Sequence, residues 1–116
     1  MITFDDFKKL EIIVARVTNV RDHPNADKLI ILEVDTGKTP SEGGQAAGGK
    51  KEIVAGIKNF YSKDELIGKD IVIINNLQPV VIRGVESNGM LLAAECENGI
   101  SVIMPDKPAK PGSKVK

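Results

Sequence analysis

The sequence has no tryptophan, one tyrosine, three phenylalanines, one cysteine and one histidine among 116 residues. With so few aromatics, a core must rest on Ile, Val and Leu, and the β-branched members of that set favour strands. Phe60-Tyr61 is the only adjacent aromatic pair, which argues against a stacking platform for a long single strand. The lone Cys96 precludes an intramolecular disulfide and fits a reducing compartment. Sixteen basic residues are matched by sixteen acidic ones, so a broadly basic nucleic-acid coat is excluded. A local basic face with acids placed elsewhere is not. No apolar run approaches the length of a membrane span, and the first residues lack the pattern of a secretion signal. The expectation is one cytoplasmic domain over residues 1–116.

The absences also bear on catalysis. A Cys/His dyad would need both Cys96 and His23, and nothing in the sequence brings them together. No Cys/His set has zinc spacing. Gly43-Gly44 and Gly48-Gly49 match neither a P-loop nor a dinucleotide fingerprint. We therefore expect no enzyme, no cofactor and no metal.

What is present reads as short strands. Thr3 with Asp6 predicts a capped helix start, with Phe4, Phe7 and Leu10 near one face. Ile12 to Val20 predicts a strand, which His23-Pro24-Asn25 ends because Pro24 donates no ladder hydrogen bond. Leu29 to Val34 predicts a second strand and Glu52 to Gly56 a third. Between them, Lys38 to Lys51 is glycine-rich, has no large apolar residue and reads as a mobile hairpin loop, most flexible over 38–50. Ser62 with Glu65 predicts one capped helical turn ending near Gly68. Ile71 to Ile74 follows as a buried strand, and Val80 to Arg83 as an edge segment. Met90 to Ala94 reads as core, with Asn98-Gly99 as the hairpin signal before Ile100 to Met104. Residues 105–116 form a proline-rich C-terminal extension. Several strands with a helix after the third predict an all-β fold, a five-stranded Greek-key oligonucleotide/oligosaccharide-binding (OB) barrel with short helices. A β-sandwich is the neighbouring alternative.

Three constellations carry possible chemistry. His23-Pro24-Asn25-Ala26-Asp27-Lys28-Leu29 is at its plainest a strand connection with Asx turns. Functionally, Asn25 and His23 offer hydrogen bonds to bases or 2′-hydroxyls, and Lys28 a partner for phosphate. Arg83-Gly84 through Met90 is at its plainest a glycine-shaped loop. Functionally, Arg83 would pair with phosphate, Ser87 and Asn88 would bond base edges, and Met90 would pack under a splayed base. Lys38, Lys50, Lys51 and Lys58 are either a solvated face or unspecific phosphate contacts.

Phe4-Asp5-Asp6-Phe7, Val14-Ala15-Arg16-Val17, His23 to Leu29, Ile53 to Ile57, Asn76-Leu77 with Pro79, Arg83 to Ala94 and Pro111 to Val115 stand in one order. Together they resemble the tRNA-binding domain that is appended to, or assembled with, methionyl-tRNA synthetases. The resemblance spans nearly the whole chain except 38–50 and is to the free-standing form or a separate β subunit. It implies an OB barrel, usually homodimeric, that binds tRNA by shape at the outer corner of the L without strong sequence preference and without catalysis. It implies as partner the methionyl or another aminoacyl-tRNA synthetase. The residues expected to contact RNA are Asn25, Lys28, Arg83, Ser87 and Met90, with Arg16 and Lys58 less central. One departure stands out: where the family often carries basic residues, this sequence reads Gln78-Pro79-Val80-Val81. The competing expectation is a protein-binding scaffold or chaperone-like dimer on the same barrel, engaging a partner through Val80-Val81-Ile82.

Overall fold

The computed structural model describes residues 1–37 and 49–116. The chain opens with a short helix, α1 (Phe4–Lys8), whose Thr3–Asp6 capping box is formed in both directions. Strand β1 (Ile12–Asp22) is shared between two neighbours. Ile12 to Arg16 pair antiparallel with β4 (Asp70–Ile74). Arg16 to Asp22 pair antiparallel with β2 (Ile30–Asp35). A bulge between Val17 and Asn19 lies in the second half, and the Thr18 hydroxyl there donates to Glu33. Such a bulge bends a strand and lets one element serve both sides of a closing sheet.

The third strand, β3 (Lys50–Ala55), pairs with β2 and is followed by α2 (Lys63–Leu66), capped by a complete Ser62–Glu65 box. Beyond β4 come β5 (Val80–Ile82), β6 (Val85–Ser87) and β7 (Met90–Leu91). The chain finishes with a hairpin of β8 (Ala93–Cys96) and β9 (Gly99–Val102) and the C-terminal extension. The main sheet runs β3-β2-β1-β4-β7, and β5-β6 and β8-β9 are separate two-stranded ribbons. The gap between the sheet's two edges is bridged at β3. The Asn88 N–H donates to the Glu52 carbonyl (2.9 Å), and the Val54 N–H donates to Ser87 Oγ (3.0 Å). The result is an OB-like antiparallel sheet nearly closed into a barrel.

The core is wholly aliphatic. Ile13, Ala15 and Val17 of β1 face Ile30, Leu32 and Val34 of β2, Ile53 of β3, and Ile71 and Ile73 of β4. These alternate in sequence as a pleated strand requires. Leu66, from the helix after β3, is fully buried among them. Ile12, Val14, Ile31, Val54 and Val72 are buried too, so the strands are covered on both faces and read as near-continuous apolar runs. The extension lies beside the first half of β1: Ser113 accepts from the Val14 N–H, and the Val115 N–H donates to Ile12. It also crosses Gly37, which has φ +68°, and a Cβ there would overlap the Pro111 carbonyl.

Three expectations change. Met90 to Ala94 is not a buried strand: Met90 is half-exposed, β8 is exposed throughout, and the run divides at Leu92. Met90 and Leu91 form the short last strand of the main sheet, where only Leu91 packs against the core, and Ala93 and Ala94 fall on the exposed β8 of the outer hairpin. The β8–β9 hairpin turns at Glu97-Asn98, because Cys96 pairs with Gly99. Lys50 and Lys51 belong to β3 rather than to a loop. The rest of the loop expectation, 38–48, lies outside the described residues.

Candidate nucleic-acid interface

The connection between β1 and β2 is residues 23–29. It is folded around His23, which is 5% exposed. The His23 N–H donates to the Leu29 carbonyl, and the Asn25 N–H donates to His23 Nδ1 (3.0 Å). Asn25 and Lys28 stand at its exposed side. In an OB barrel this loop and the one joining the fourth and fifth barrel strands are where oligonucleotides bind. Here that second connection carries the β5–β6 ribbon.

Ile82 pairs with Val85, so only Arg83 and Gly84 form the turn of the ribbon. Their φ values, +53° and +91°, are both left-handed. That is the signature of a type I′ hairpin, whose preferred sequence is Asn-Gly. Arg83 is the one non-glycine residue at positive φ among the described residues. For an ordinary L-residue this conformation costs about 1–2 kcal/mol.

The two connections meet. His23 Nε2 is 2.9 Å from the Ile82 carbonyl, and Asn25 Nδ2 donates to the Arg83 carbonyl at 3.0 Å. Arg83 and Lys28 are both exposed, and among the described residues neither has a carboxylate within ion-pair distance. The structure therefore brings Asn25, Lys28 and Arg83 onto adjoining loops, with both cations outside any ion pair among the described residues.

The other expected contacts sit differently. Ser87 is buried, and its hydroxyl donates to Gly89 while accepting from Val54, so it fastens the barrel seam. Arg16 lies on β1 with its guanidinium on Asp70 (2.9 and 3.4 Å), whose hydrogen bonds and charge raise its pKa further. Lys58 shares Asp22 with Lys63, and the Lys63 hydrogen bond, ahead of Lys58, holds that carboxyl below its ordinary range. Lys50 pairs with Glu33. Lys51 is half-buried and donates to the Asn75 carbonyl, and burial pushes its pKa down.

Met90 lies at the rim of an open apolar cavity of about 440 Å³, lined also by Val54, Ile57, Leu77, Val80 and Leu91. Val80 and Val81, where the family's basic residues were expected, are more than half exposed. Among the described residues no cluster of His, Cys, Asp or Glu is arranged to hold a metal.

Two features were not among the expectations drawn from the sequence. His23 joins the two loops from within, whereas its residue type suggested only an exposed hydrogen-bonding group. The extension carries Lys107, Lys110, Lys114 and Lys116 against the single acid Asp106, and none of the four is in an ion pair among the described residues. That bias was visible in composition alone.

The family model described as "Putative tRNA binding domain" matches residues 12–114. The chain belongs to the tRNA-binding domain family. It is 45% identical over 116 residues to the methionine–tRNA ligase of Nanoarchaeum equitans and 43% identical over 115 residues to that of Thermococcus onnurineus. The matches cover 100% and 99% of this chain but 14% of each ligase, so ligase chemistry does not come with them. Among solved structures, the CsaA chaperone protein of Picrophilus torridus superposes with a TM-score of 0.87 at 33% identity, covering 100% of both chains. The methionyl-tRNA-synthetase-related protein of Pyrococcus horikoshii gives 0.84 at 31% identity, covering 100% of this chain and 98% of that one. The chain is thus a tRNA-binding module of the type shared by methionyl-tRNA synthetases and CsaA proteins.

Proposed function

We propose that this module grips folded tRNA at the meeting of the two barrel loops, with Arg83 and Lys28 as the principal phosphate contacts. Asn25 and Met90 flank them, and Arg16 and Lys58 contribute less because carboxylates already hold them. The observation that carries this reading is a strained, solvent-facing Arg83 that is in no ion pair among the described residues, in a member of a tRNA-binding family. Contacts to backbone and shape suit a chain with so few aromatics. The module serves a methionyl-tRNA synthetase in the cytoplasm, raising the effective concentration of tRNA at the enzyme. It binds as a homodimer, and the exposed Ile2, Phe4, Val80 and Val81 supply apolar surface for the second copy.

Titration of bulk tRNA at two ionic strengths tests the reading. Each phosphate contact lowers the logarithmic salt slope by about 0.7–0.9. Binding that ignores salt and survives Arg83→Ala would contradict it. Sedimentation of the free chain tests the dimer, and a monomer at micromolar concentration would remove that element. A second reading, a protein-binding chaperone-like module, is favoured by the apolar cavity and by the likeness to CsaA chaperone structures. No tRNA binding at low salt, together with capture of extended apolar peptides, would put it first.

A further inference from the structure

We infer that His23 and Asn25 act as positioning residues for Arg83, locking the hairpin tip so that its guanidinium is presented to RNA. This rests on the functional reading above and specifies how its central cation is held. The two successive carbonyls of the tip, Ile82 and Arg83, are each bonded by a side chain from the β1–β2 loop, 59 and 58 residues away in sequence. The bonds define the imidazole. A backbone N–H only donates, so Nδ1, which faces Asn25 N, carries no proton. A carbonyl only accepts, so Nε2, which faces Ile82 O, carries one. His23 thus ties the loop to itself through one nitrogen and to the tip through the other. The Asn25 amide closes over Gly84 so nearly that a Cβ there would lie 3.3 Å from Nδ2. A two-residue turn with arginine at a left-handed φ has a competing relaxed backbone, and these bonds oppose it. They engage only main-chain oxygens, which leaves the guanidinium available.

The test uses deacylated bulk tRNA and the full chain. His23→Gln keeps a donor near Nε2, whereas His23→Asn keeps only an acceptor near Nδ1. His23→Gln should bind within about twofold of the parent, while His23→Asn and Asn25→Ala should each weaken binding roughly three- to tenfold. The His23→Asn loss should vanish in an Arg83→Ala background, because nothing is left to position, and the Asn25→Ala loss should shrink to what Asn25 itself contributes at the RNA. Thermal unfolding of every variant restricts the comparison to folded protein. Equal losses with and without Arg83, or full affinity in His23→Asn and Asn25→Ala, would overturn the positioning role. A parent chain that fails to bind tRNA at low salt would instead overturn the functional reading.

Discussion

The barrel wall and the loop corner hold the same cations in opposite condition. On the wall, Arg16 meets Asp70, Arg21 meets Glu52, Lys50 meets Glu33, and Lys58 with Lys63 meets Asp22. At the corner, Arg83 and Lys28 are in no ion pair among the described residues, and the hydrogen bonds that fix the tip end on carbonyls. A zero net charge conceals this division, because on the wall Asp22, Glu33, Glu52 and Asp70 stand at ion-pair distance from their cations. Attraction for a polyanion depends on which cations remain unpaired, not on their number. The comparison implies that wall substitutions move stability and corner substitutions move binding.

The largest effect expected is on the wall's interior. Leu32, fully buried between its neighbours, should lose about 2–5 kcal/mol of stability as Leu32→Ala. Denaturant unfolding would read that loss, and tRNA affinity per folded molecule should stay unchanged. A fall in that affinity would break the division. Ser87→Ala is a sharper case, because Ser87 was expected at the RNA. It leaves the Val54 N–H without its acceptor inside the seam and should cost about 1–3 kcal/mol, again with affinity retained. A normal stability with weakened binding would return Ser87 to the interface.

Arg83→Asn should move the two properties in opposite directions. Asparagine tolerates the left-handed turn better, so stability should rise by up to about 1 kcal/mol. Losing the cation should weaken tRNA binding by about 1–2 kcal/mol and reduce the salt slope by about one contact. A variant that is both stabler and a poorer binder would show that the arginine is kept for function against the turn's own preference. Arg16→Ala, on the wall, should leave affinity nearly unchanged.

The sequence exposed most of the barrel, because its strands are β-branched and bounded by Pro24, Gly37 and capping boxes that act locally. It read Met90 to Ala94 as one buried strand, since an apolar run looks the same whether one strand receives it or it divides between the sheet's last strand and an exposed hairpin. At the site, Arg83 and Lys28 were legible as cations near glycine and turn residues. Their lack of an ion pair among the described residues was not, because pairing is set by contacts between distant strands, as with Arg16 and Asp70. Ser87 shows the same limit: a serine in a loop motif reads as exposed until the closing strand is known.

The smallest effect expected is acid sensitivity of the wall. The Arg21 hydrogen bond holds Glu52 below its ordinary 4.5, and the Lys63 and Lys58 contacts hold Asp22 below its ordinary 3.8. A backbone hydrogen bond from Ser62 does the same for Glu65. Each group is ionised more readily folded than unfolded, so its contribution is fully present above those ordinary values. It is lost as pH falls past them and through the lower folded values. Asp22 and Glu65 are exposed and Glu52 is partly so, which keeps each share small. Salt separates them: added salt should screen the Asp22 and Glu52 pairs but leave the Glu65 cap, whose main partner is a backbone N–H, largely intact. Melting temperature followed from about pH 7 to pH 3 should therefore decline less steeply at high salt in the parent. Glu65→Ala should remove the salt-insensitive remainder of that decline. A decline that is unchanged by salt would mean that the wall's ion pairs add nothing to the fold and serve only to keep their cations away from RNA.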